Sequence, residues 1–96
     1  MSDEIRDRLA ILALTEVLKG EEFTEEFKKE VLFEENNTFT QKKAVDMVNR
    51  HLLKSGVLGA SAYVDYDKNE ACENGIVVSV DYKDILVHIT LDRAEF

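Results

Sequence analysis

The stretch Asp65-Tyr66-Asp67-Lys68-Asn69 sets oxygen-bearing side chains at alternate positions, the D-x-D-x-N spacing with which a calcium loop opens, and Glu73 stands at the ninth place of such a loop. A calcium ion would also need a glycine at the sixth place and a bidentate glutamate at the twelfth. Glu70 and Ile76 occupy those places, so a polar hairpin loop over residues 67–75 is expected and no metal. Cys72 lies in the same loop, while His51 and His88 stand on a helix and a strand. A thiol nucleophile needs a base within hydrogen-bond reach, and zinc needs three or four ligands; this spacing announces neither. Gly56 and Gly59 lead into a strand rather than a helix N-terminus, so they do not read as a phosphate loop. The chain is expected to be non-enzymatic and to carry no cofactor.

Charge is more informative. Twenty acids against twelve bases give a net charge of −8, which argues against a general nucleic-acid coat or a binder of anionic membranes. Residues 1–37 hold eleven acids and five bases, residues 38–55 one acid and four bases, and residues 56–96 eight acids and three bases. Two acidic clusters are the candidate partner-binding residues: Asp65, Asp67, Glu70 and Glu73 in the loop, and Glu25, Glu26 and Glu30 on a helix. Such a surface steers toward a basic protein, including one whose nucleic-acid-binding groove it would block. In size and charge the chain resembles the small acidic inhibitors, adaptors and regulatory subunits that phages and other mobile elements encode. That resemblance implies a protein partner and names no target.

The elements that must position these residues follow from periodicity. Ninety-six residues suffice for one domain, and no proline or Ser/Gly-rich linker divides them. A 3.6-residue period in the first half gives way to a period of two near Gly56, the mark of an α+β fold: three N-terminal helices packed on a three-stranded antiparallel meander. The first helix is expected over 2–19, capped by Ser2 and closed by Gly20. It is apolar nearly all round from Leu9 onward, with Ile5, Leu9, Leu12, Ala13 and Val17 on one side and Ile11, Leu14 and Leu18 on the other. Both sides are expected to be buried, one by the sheet and one by the other helices; if Ile11, Leu14 and Leu18 stay open, a homodimer through this helix follows. The second helix is expected over 24–33 from Thr24, with Phe23, Phe27 and Val31 facing inward. The third runs over 38–54 from a Thr38/Gln41 capping box, with Ala44, Val45, Val48, Leu52 and Leu53 inward.

Strands are expected over 59–66, 76–82 and 85–92. With Lys83-Asp84 as a two-residue turn, Tyr82 pairs with Ile85, Val80 with Val87, Val78 with Ile89 and Ile76 with Leu91, placing all eight on one face. Leu9, Leu12, Phe27, Val48, Val78, Val80, Val87 and Ile89 are the expected core.

Three helices and a hairpin resemble a winged helix-turn-helix in outline. The resemblance implies an alternative function as a DNA-binding regulator, with Gln41, Lys42, Lys43, Asn49, Arg50 and Lys54 as its nucleic-acid face. Asp67, Glu70 and Glu73 at the wing tip and Glu25, Glu26 and Glu30 on the second helix would meet phosphate in that docking, so nucleic acid is the less favoured partner. No apolar run is long enough to span a bilayer, and acids at the N-terminus do not suit a signal peptide. A lone cysteine fits the reducing cytoplasm, the expected location.

Overall fold

A computed structural model describes residues 3–35, 37–64 and 75–92. Three helices, α1 (Asp3–Leu18), α2 (Glu21–Glu30) and α3 (Thr38–Lys54), precede three strands, β1 (Ser61–Val64), β2 (Gly75–Tyr82) and β3 (Ile85–Asp92). The sheet is antiparallel in the order β1-β2-β3, giving an α+β fold. Ser2, Tyr66 and the loop of residues 67–74, with Cys72 and the D-x-D-x-N stretch, lie outside the described residues.

The β2–β3 hairpin has the register that alternation predicts: Tyr82 opposite Ile85, Val80 opposite Val87, Val78 opposite Ile89 and Ile76 opposite Leu91. Lys83 and Asp84 turn the chain with φ of 52° and 65°, both in the left-handed region that a type I′ turn requires. Ile76, Val78, Val80 and Leu91 are buried with Ala62 of β1 beneath the helices. Val87 and Ile89, expected in the core, face it but are only half-buried, because β3 is an edge strand. On the other face Ser79 is fully buried, small enough to be covered by its cross-strand neighbours Tyr63 and His88.

α3 lies along β1 and β2 and presents Ala44, Val45, Val48 and Leu52 to the sheet, while Leu53, expected inward, points to solvent. It ends in a Schellman motif: the Val57 N–H donates to Leu52 O and the Gly56 N–H to Leu53 O, with Gly56 at φ 83° where a side chain would be strained. At its other end Asn37, one residue before the expected cap, accepts from the Thr40 N–H at 3.0 Å, and Gln41 is buried.

α2 begins three residues earlier than expected, at Glu21 after an N-cap at Gly20. Glu21 and Glu22 then occupy the positive end of the helix dipole, and Thr24 sits inside the first turn. Gly20 is extended rather than left-handed, and a Cβ there would stand 3.2 Å from Val17 O in the last turn of α1, a tight contact that favours glycine. α2 buries Phe23 and Phe27.

α1 reverses the expectation for its faces. Ala10, Leu14 and Leu18 are buried, whereas Ile5, Leu9 and Leu12 are 51%, 52% and 56% exposed and Ile11 is 45% exposed. At 100° per residue the buried trio centres almost opposite Ile5, Leu9 and Leu12. The sheet and the other helices cover one side of α1, and Leu9 and Leu12 are not core residues. Among the described residues no helix is long and apolar enough to cross a membrane.

Candidate functional site

Three places bring functional side chains together: the α2–α3 groove, the outer face of the sheet, and the surface of α1. In the first, Glu22 and Glu26 stand four residues apart on α2, and Arg50 and Lys54 four apart on α3. Antiparallel helices bring these pairs together in reverse order. Arg50 Nη1 lies 2.9 Å from Glu26 Oε1, and Lys54 Nζ lies 3.3 Å from Glu22 Oε2. His51 Nε2 donates to Glu26 Oε2 at 2.6 Å, and the Phe23 ring packs edge-on against the imidazole. An ionised carboxylate only accepts, so this contact puts the His51 proton on Nε2. The hydrogen bond from His51, helped by the Arg50 charge and opposed by partial burial, holds the Glu26 carboxyl below its ordinary value. The open groove above these residues has a volume of about 520 Å³ and is lined also by Glu25, Lys29 and Glu30.

This arrangement reassigns candidates from both sequence-derived sets. Glu26 and Arg50, placed on rival binding faces by the sequence, bond to each other. Glu25 pairs loosely with Lys28 at 3.9 Å, and Glu30 is exposed, its backbone carbonyl accepting from Lys43 at 3.4 Å. Lys43 also lies over the Phe39 ring. Of the proposed nucleic-acid face, Gln41 is buried, Lys54 is paired with Glu22, and Lys42 is exposed.

Asn49 has turned to a different task. Its Oδ1 accepts from the Ala62 N–H at 2.8 Å and its Nδ2 donates to Ala62 O at 3.1 Å. The side-chain amide thus mimics a neighbouring strand and satisfies the outer edge of β1 at Ala62. Asp65, Asp67, Glu70 and Glu73 lie outside the described residues.

Two pairs that sequence reasoning missed have the residue types of acid–base chemistry. Glu26–His51 is a carboxylate–imidazole pair with no nucleophile in contact among the described residues. Ser79 Oγ and His88 Nδ1 share a hydrogen bond of 2.9 Å, but Ser79 is completely buried and its hydroxyl cannot meet a substrate. Facing strand positions carry this second pair, and only the register reveals it. Among the described residues no group of three or more His, Cys, Asp or Glu side chains is arranged to hold a metal ion.

On α1 the exposed side chains recur at i, i+4 and i+7, the spacing of a helix that lays one face into a groove. No protein-family model matches the chain, and comparisons with curated proteins and with solved structures find no match either.

Proposed function

We propose that the protein is a non-enzymatic interaction protein, an inhibitor, adaptor or regulatory subunit, that docks α1 into an apolar groove with a basic rim on a protein partner. The observation that carries this reading is the Ile5/Leu9/Leu12 stripe, over half exposed on a helix whose opposite side is the one in the core. Contiguous apolar surface of this kind marks an interface. The partner's basic character rests on charge: with a net −8 the chain attracts a positive rim and is steered to it. Exposed Glu25 and Glu30 contribute to that field, whereas Glu26 is engaged within the chain. Neither histidine pair completes a reacting site, which favours binding over catalysis.

A second copy of the chain is the competing occupant. Two chains each bearing −8 repel, which disfavours that pairing. DNA binding through α3 would require Arg50 and Lys54 to leave Glu26 and Glu22.

The test is a Leu9→Glu/Leu12→Glu double variant. Both side chains are exposed, so the fold should persist. A protein captured from source-cell extract by the wild-type chain is purified, and its binding is remeasured with the two pure components. The reading expects binding to be lost in the variant and its association rate to fall as salt rises. Undiminished binding by the variant overturns the stripe; a wild-type dimer in sedimentation equilibrium that the variant abolishes points to self-pairing.

A further inference from the structure

We propose that the edge of β3, open among the described residues, binds an extended segment of a partner protein, alternately apolar and with a basic residue at the end that faces Asp84, as a fourth strand of the sheet. This site does not use Ile5, Leu9 or Leu12, so it stands or falls separately from the stripe on α1.

The argument begins from hydrogen-bond alternation. Ala62 turns its N–H and C=O away from β2 to Asn49, so Val80 opposite it turns its own groups toward β3, and Val87 opposite Val80 turns back toward β2. Alternation from Val87 sends the N–H and C=O groups of Leu86, His88 and Thr90 outward. Among the described residues nothing pairs with these backbone groups. β3 also lacks the features that blunt an edge: from Ile85 to Asp92 there is no proline or lysine, and the pairing with β2 runs without a bulge.

Beside this edge α1 leaves a groove of about 330 Å³ whose walls include Ile11, Thr15 and Leu18 on one side and Val87 and Ile89 on the other. Alternate side chains of an added strand would enter that groove and complete the cover over the half-buried Val87 and Ile89. Charge selects the occupant. A second copy of the chain would bring another net charge of −8 to the edge, which is unfavourable. A foreign segment with lysine or arginine at the end that faces Asp84 meets that carboxylate favourably.

The probe is an acetylated, amidated peptide alternating valine and threonine between terminal lysines, titrated into the full ¹⁵N-labelled chain and followed by amide and methyl shifts. Saturable shifts are expected at Leu86, His88 and Thr90 and at the methyls of Ile11 and Leu18, with Leu9 and Leu12 unmoved. N-methylating the peptide amides on one edge of its strand should weaken binding by about fivefold to tenfold for each hydrogen bond blocked, and on the other edge should change nothing. This control needs no change in the protein. Thr90→Pro removes one outward donor from β3 and should produce a similar loss. Absence of saturable binding, equal loss from both N-methylated peptides, or shifts confined to the stripe overturns the site. Equal binding by a peptide without lysines overturns the basic partner, and a wild-type dimer abolished by Thr90→Pro gives the edge to a second copy.

Discussion

The two edges of the sheet meet opposite treatment. β1 lies under α3 and has its outward backbone groups at Ala62 bound by Asn49. Along β3 the outward groups at Leu86, His88 and Thr90 find no protein partner among the described residues. α1 repeats the contrast, with Leu14 in the core and Leu12 in solvent. One flank thus has the edge groups of Ala62 satisfied by a side chain, and the other carries, among the described residues, both unpaired backbone and exposed apolar surface. A chain can protect an edge with one asparagine; leaving the other open is where an interaction protein would keep its contacts.

The largest effects should come from substitutions that compare the flanks directly. Leu14→Ala opens a cavity beneath α1 and should cost about 2–5 kcal/mol, whereas Leu12→Ala, two residues away on the exposed side, should cost less than about 0.5 kcal/mol. Urea titration of both variants measures this, and equal losses would mean that the outer side of α1 is covered after all. Next in size is Asn49→Ala, which strands the N–H and C=O of buried Ala62 and should cost about 2 kcal/mol. Asn49→Asp keeps the acceptor but sets a carboxylate against Ala62 O, so it should be no better than alanine despite its shape. A neutral Asn49→Asp would break the comparison of the edges.

How much of this the sequence discloses depends on whether a pattern points one way. The hairpin register is legible because shifting it by one residue would turn every side chain over. The end of α3 is legible in Ser55-Gly56 for the same local reason: glycine is free to take the left-handed conformation there. The faces of α1 are not legible, since a helix with leucines and isoleucines on all sides has no preferred direction, and only its neighbours decide that Leu14 goes in and Leu9 stays out. Asn49 reads as surface because nothing local distinguishes an asparagine facing water from one facing a strand edge. The Glu26–Arg50 pairing leaves a signal, two acids and two bases each four apart, but that spacing points to a pair only once α2 and α3 are known to lie side by side.

A smaller effect sharpens the satisfied flank through pH. The folded-state value of Glu26 lies below its unfolded value, so its contribution to stability is complete above the unfolded carboxylate value, about 4.3, and is lost as pH falls through the folded value. Glu26→Gln should therefore cost about 1–2 kcal/mol at neutral pH and make the acid limb of the stability curve shallower. Denaturant titrations at several pH values from neutral to acid test this. A limb as steep in Glu26→Gln as in the wild-type chain would mean that other carboxylates carry the acid sensitivity.

The smallest effect concerns the turn that holds the open edge in place. Lys83 and Asp84 both adopt positive φ, which costs an L-residue roughly 1–2 kcal/mol and glycine nothing comparable. Asp84→Gly relieves that strain, offset in part by the greater freedom of glycine in the unfolded chain, so a net gain of about 0.5–1 kcal/mol is expected. For a chain of this length a gain of 1 kcal/mol raises Tm by about 4–8 °C, and half of it by proportionately less. Lys83→Asn should do less, because asparagine tolerates the conformation but gives up the ammonium that Lys83 holds 5.2 Å from the centre of the Tyr82 ring. Calorimetry on the two single variants separates these effects. If strain in the turn weakens the hairpin, Asp84→Gly should also slow hydrogen exchange at the β3 amides bonded to β2, those of Ile85, Val87, Ile89 and Leu91, while the outward amides of His88 and Thr90 exchange as before. Slowing at both sets would mean that the outward amides are already protected, and the contrast between the two edges would collapse.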